Sequence, residues 1–202
     1  MEASVAAAPR KLEGEKAQRI VEAMRARVGK RGAAGSTFDV VAREAGVSRG
    51  LLHYYFGSKE RLMVEVVRSD CDQRVAALEE NLATATSADE FVAFLVQTLE
   101  AFLSDEPSQA VLYEMLSASR RSEEIRVELA ELYRRWRGQL AAALRDKQEQ
   151  GVVSLDAEPE TVAALLFALG DGMGLQVISD PEWDSAPAFE LGFQTARRLL
   201  GA

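Results

Sequence analysis

Apolar residues recur along this chain at spacings of three and four rather than two. Ala17, Ile20, Met24 and Val28 fall on one face of a helix that should stop near Gly32. Phe38, Val41 and Ala42 mark a second, short helix capped by Ser36 or Thr37, with Asp39 in its first turn, where a negative charge suits the helix dipole. It ends at Gly46. Ser48 caps a third helix, and Ser58 a fourth whose apolar stripe is Leu62, Val66 and Val67. The later pattern predicts longer helices at about 88–104, 107–120, 122–150, 159–179 and 186–200, divided by Pro, Gly, Ser and Asp clusters. No segment needs a strand, so the expected fold class is all-α. The Ala-rich start should be disordered, giving a tail over residues 1–11.

The third helix carries four consecutive rings, His53, Tyr54, Tyr55 and Phe56. Four successive positions point all round a helix axis, so some of these rings must face away from the core. Leu52 and Phe56, four apart, should anchor the helix to the one before it, leaving Arg49, His53 and Tyr54 outward. Two short helices joined by a tight turn, with Gly46 where a positive φ costs least, make a helix-turn-helix over about residues 37–56. Its second helix is then the element that enters a DNA major groove. Tyr hydroxyls and a His N–H suit phosphates, and Arg49 can reach a guanine edge or a phosphate. Lys59 adds a cation at a helix N-terminus that already attracts anions. Tyr55 has a second reading as a half-buried packing ring.

Charge supports a nucleic-acid partner. Residues 1–70 hold 13 Lys/Arg against 9 Asp/Glu, a net +4, while the remainder carries −12 of the overall −8. A basic module on an acidic body fits contact with a polyanion through one end only. At 202 residues and 48% hydrophobic, the chain is long and apolar enough for a substantial core. The N-terminus lacks the order of a signal peptide, and apolar runs such as 161–169 are far shorter than a membrane span. A cytoplasmic protein with no membrane association is expected. With Cys71 and His53 as the single Cys and His, an internal disulfide and a Cys/His zinc site within one chain are excluded, and no cofactor is expected.

The segment 37–62, TFDVVAREAGVSRGLLHYYFGSKERL, resembles the N-terminal DNA-binding signature of the TetR family of transcriptional regulators. The similarity lies in Thr37, the Ala-Gly-Val-Ser turn, the short helix ending in Tyr55-Phe56 and the Ser-Lys-Glu-x-Leu start of the connecting helix, and it covers about a third of the chain. It implies phosphate contacts at Thr37, His53, Tyr55 and Lys59, and base or phosphate contacts at Ser48, Arg49 and Gly50. Leu51 stands where many relatives carry a Thr, so a hydroxyl is lost there, and its side chain is suited to a thymine methyl. Asp39 stands where relatives often carry a basic residue, so that DNA contact is expected to be absent. The late segment 171–181, DGMGLQVISDP, is similar to the branch that includes the choline-responsive repressor.

The resemblance also implies a DNA-binding domain over residues 12–58 and a helical regulatory and dimerisation domain over 59–202. The latter would bind a small-molecule effector of unknown identity and dimerise through its last two helices. Large adaptable side chains nominate Phe91, Phe102, Tyr113, Trp136 and Met173 for the effector site, with core packing as the commoner use of each taken singly. Asp171 interrupts an apolar helix and must meet a polar or cationic ligand, a dimer seam or water. Leu166, Phe189 and Phe193 supply apolar surface for a four-helix seam between two copies. Gly170 and Gly174 are assigned to that seam, with close helix packing as their plainer use. The expected function is a homodimeric repressor released from a palindromic double-stranded DNA operator by its effector. The rival is a constitutive dimeric DNA-binding protein, and a helical enzyme stands further off, since no nucleophile-base or metal constellation is visible.

Overall fold

The structure, a computed structural model, describes residues 14–201. The tail expected over residues 1–11 lies outside them. Among the described residues there are nine helices and no strand: α1 Glu15–Arg31, α2 Phe38–Ala45, α3 Arg49–Phe56, α4 Lys59–Thr84, α5 Ala88–Leu103, α6 Glu106–Ser119, α7 Glu123–Glu149, α8 Pro159–Ser179 and α9 Ala186–Leu199. The all-α expectation holds, and the periodic segments set the helix positions to within a residue or two.

The helices form two compact units. Of the described residues, the first comprises 14–71 together with 105–129, and the second 72–104 together with 130–201, so α4 and α7 contribute to both. The first unit therefore takes in more than residues 12–58, because α6 packs along α1. That approach requires Gly29, where a Cβ would come within 2.9 Å of the Pro107 backbone. A polar cluster reinforces it: Arg25 Nε donates to Asp70 at 3.0 Å, and Arg25 also bonds Asp105, which caps α6 by accepting from the Ser108 N–H. Burial works against the charge of Arg25, but Asp70, Asp105 and Glu22 outweigh it and raise its pKa.

In the second unit the core is built from Leu82 at the end of α4, Phe91 and Val92 of α5, Leu140 and Leu144 of α7, Val162 and Ala163 of α8, and Leu200. Lys147 is 4% exposed, and its ammonium donates to the carbonyls of Ala83 and Ala85, both at 2.8 Å. A cation at the C-terminus of α4 satisfies carbonyls that the helix leaves without partners. Gly170 and Gly174 turn toward α5, where their Cβ positions lie 3.7 and 3.3 Å from Leu99 and Leu103. These contacts fit the close helix packing given above as the plainer use of both glycines.

The run 161–169 is short of a span; the whole of α8 is long and apolar enough to cross a membrane by length and composition alone, with a mean hydropathy of 1.6 over its best stretch, a test that a helix of a soluble protein also passes. The interruption at Asp171 splits the run without lowering the average much. Only 17% of that stretch is buried. Leu165, Leu175 and Ile178 of α8 and Leu191 of α9 stand exposed.

Candidate nucleic-acid interface and effector site

The turn between α2 and α3 is built by two adjacent caps. Gly46 adopts φ 67, ψ 38, its N–H donating to Arg43 O at 3.3 Å while Val47 N–H donates to Ala42 O at 2.9 Å. This paired closure uses the left-handed conformation that glycine enters freely. Two residues on, the Ser48 hydroxyl accepts from Leu51 N–H at 3.3 Å and starts α3. Leu52 and Phe56 are buried, and they seat α3 against the buried face of α2, Phe38, Val41, Ala42 and Ala45. The outward set is then fixed by geometry: Ser48, Arg49, Gly50, His53 and Tyr54 are exposed, and Leu51 and Tyr55 are half-buried. Tyr54 meets Tyr55 edge-on with ring centroids 5.0 Å apart.

Three details depart from the sequence expectation. Thr37 occupies the cap position of α2 but makes no capping bond, and Ser36 is buried instead, its hydroxyl donating to Gly32 O at 2.7 Å. Arg49 does not project alone. Its Nη1 lies 3.1 Å from an Asp39 oxygen, and its Nε donates to His53 Nε2 at 3.2 Å. Lys59, expected to contact phosphate, sends its ammonium to Ala33 O at 2.9 Å. The N–H of Ala33 in turn donates to Glu114 of α6 at 3.2 Å, so the loop between α1 and α2 is held at both ends of one residue.

In the second unit, α7 brings Tyr133 and Trp136 together at a spacing of three, with ring centroids 5.2 Å apart. Trp136 is buried and its indole N–H has no hydrogen-bond partner among the described residues; neither has Gln139 Oε1, one turn further along. Asp171 is exposed, yet the protein around its carboxyl disfavours the charged form and raises its pKa, while a hydrogen bond from Tyr133 pulls it back down. Rings, an unpartnered donor and a carboxyl reluctant to ionise on its own together suit a polar or cationic small molecule.

The remaining nominees are scattered. Phe91 is completely buried in the core cluster and has no open face, so it is a packing residue and not a pocket wall. Phe102 is half-buried beneath the Arg74 guanidinium, 5.4 Å from the ring centroid. Met173 is half-buried beside Gly192 of α9, and Tyr113 belongs to α6 in the first unit. Leu166 packs against the second unit's core, while Phe189 and Phe193 pair at 5.9 Å on α9. The sequence reading missed two sets of residues. Tyr133 as the partner of Asp171 was signalled only by its helical spacing from Trp136, and the exposure of Leu165, Leu175, Ile178 and Leu191 is invisible to periodicity. Among the described residues no group of three His, Cys, Asp or Glu side chains is placed to hold a metal ion.

Comparison with known proteins bears on both units. A family profile described as "BetI-type transcriptional repressor, C-terminal" matches residues 88–201, and one described as "Bacterial regulatory proteins, tetR family" matches residues 20–66. The HTH-type transcriptional regulator BetI of Rhizobium meliloti is 35% identical over 130 residues, 62% of this chain and 63% of that protein. The match to BetI thus spans less than two thirds of either chain. UidR of Escherichia coli, also an HTH-type transcriptional regulator, is 25% identical over 185 residues, 91% of this chain and 90% of its own. Among solved structures, a regulator from Saccharomonospora viridis in complex with choline superposes with a TM-score of 0.70 at 26% identity, covering 94% of this chain and 95% of that one. The fatty acid degradation regulator FadR of Bacillus halodurans, at 19% identity, shares the fold with a TM-score of 0.76 over 93% of this chain and 97% of its own.

Proposed function

From its place in the TetR family of transcriptional regulators, to which the chain belongs, we propose that it is a homodimeric transcriptional repressor, released from a palindromic operator by a small-molecule effector. The observation that carries this reading is the outward face of α3, where the caps at Gly46 and Ser48 present Arg49, Gly50, His53 and Tyr54 together on a helix whose other side is buried. Ser48, Arg49, Leu51 and Tyr54 would meet base edges or adjacent phosphates. Thr37, His53, Tyr55 and Lys59 would position the helix on the backbone. The exposed apolar side chains of α8 and α9, with Phe189 and Phe193, would be covered by a second copy, which spaces two recognition helices for successive major grooves. The protein would work in the cytoplasm by binding, without turnover of its effector.

The effector we infer is an organic cation. Tyr133, Trp136 and Asp171 combine ring faces with a carboxyl that gains from a nearby positive charge, and the Saccharomonospora viridis neighbour was solved in complex with choline. Such a ligand acts by population shift, binding best to a conformation whose recognition helices no longer match the operator. The test is a DNA-binding titration on duplexes enriched by the protein from a random pool, repeated with choline and other quaternary ammonium compounds. Enrichment of a palindrome and release by one of these cations is expected. DNA affinity indifferent to all of them would favour a constitutive binder, and no enrichment would remove the DNA-reading function.

A further inference from the structure

We propose that Asp39 sets the base preference of the recognition helix by fixing the guanidinium of Arg49, a positioning role at a residue expected to have lost its DNA contact. The proposal rests on the DNA-reading function proposed above. Both oxygens of Asp39 face Arg49 Nη1, at 3.2 and 3.1 Å. On the other side Arg49 Nε donates to His53 Nε2 at 3.2 Å, which requires the imidazole proton to sit on Nδ1. The His53 ring is itself held edge-on against Phe38, with centroids 4.8 Å apart, and Phe38 is anchored in the core. Phe38 and Asp39 open α2 while Arg49 and His53 lie one turn apart on α3, so four side chains close a ring across the turn between the two helices.

The ring leaves one part of Arg49 open. Nη2 has no partner among the described residues, and the side chains of Arg49 and Asp39 are 59% and 64% exposed. An arginine reads guanine by presenting two parallel N–H groups to O6 and N7, which needs the plane of the guanidinium fixed as well as its position. A free arginine swings among rotamers and meets phosphates as readily as bases. Pinned through Nε and one face of Nη1, it can offer only its outer edge, Nη2 with the remaining Nη1 hydrogen. The Asp39 carboxylate adds a second filter, since it repels phosphate oxygens and so disfavours poses in which Arg49 slides onto the backbone.

The experiment compares wild type, Asp39→Asn, Arg49→Ala and the double variant, each used to enrich duplexes from a random pool and then titrated on the enriched and scrambled sequences. Circular dichroism checks that all four fold; the exposed positions predict that they do. Expected is that Asp39→Asn flattens the preference at one base position per half-site by about fivefold, the upper end of what an exposed ion pair transmits, while affinity for scrambled DNA holds or rises. In the Arg49→Ala background the same substitution should leave base preference unchanged. If Asp39→Asn instead tightens all sequences alike in both backgrounds, Asp39 acts through its charge alone and the proposal fails. If it sharpens the preference, Asp39 sequesters Arg49 and the proposal is reversed. A wild-type protein that enriches nothing overturns the DNA-reading function itself, and this proposal with it.

Discussion

Replacing Lys59 by alanine separates two roles that meet in one ammonium group. Its bond to Ala33 O is 2.9 Å long and joins the start of α4 to the loop before α2. A hydrogen bond to a charged group is worth about 1.5–3 kcal/mol, and the half-exposed position of Lys59 lets water replace part of it, so the loss should be about 1 kcal/mol. For a chain of 202 residues that lowers Tm by about 2–4 °C. The ammonium has three N–H donors and spends one on Ala33, which leaves two for a phosphate. Its removal should weaken operator and random DNA alike and reduce the salt slope by about 1 for each protomer. Scanning calorimetry gives the first quantity, and fluorescence anisotropy on two duplexes over a salt series gives the second. A lowered Tm with an unchanged slope would make Lys59 a clamp on the α1–α2 loop and nothing more. An unchanged Tm would show that its bond to Ala33 contributes nothing in solution.

Arg25→Met should destabilise the protein by about 3 kcal/mol, read as a lower urea midpoint, because Asp70 and Asp105 are left partly buried without their cation. Desolvation raises the Asp171 pKa above its ordinary 3.8, so its contribution to stability is fully present at low pH and is lost as pH rises through the shifted value. Asp171→Asn should therefore gain stability over wild type as pH climbs from about 4 and then level off; a gap that does not vary with pH would show that the carboxyl is not desolvated. Across the same window wild-type affinity for an organic cation should rise with pH, since the bound charge favours the ionised carboxylate. Leu191→Glu should convert dimer to monomer in sedimentation at micromolar concentration, and a dimer that persists would move the seam away from the α9 face.

Much of the first unit was legible because local chemistry specifies it. Gly46, Ser48 and Ser58 each act on backbone groups within four residues, and Leu52 and Phe56 follow from helical period alone. The outward direction of Arg49, His53 and Tyr54 was therefore anticipated. The electrostatics of that face were not. Asp39 and Arg49 are ten residues apart on different helices, and no spacing rule links them. The same limit explains Lys59, whose acceptor lies 26 residues upstream.

The amino-acid sequence by itself determined the helices, their ends, the tight turn and the family, since periodicity, caps and motif spacing are properties of neighbouring residues. Tertiary structure alone decided which apolar side chains became core. Phe91 and Leu191 are alike in sequence terms, each on an amphipathic helix, yet one is wholly buried and the other 60% exposed. It also turned Gly170 and Gly174 toward Leu99 and Leu103, and placed Tyr133 beneath the carboxyl of Asp171. A helix presents every direction to its surroundings, and only the packing of its neighbours settles which direction meets protein and which meets water, DNA or a second copy.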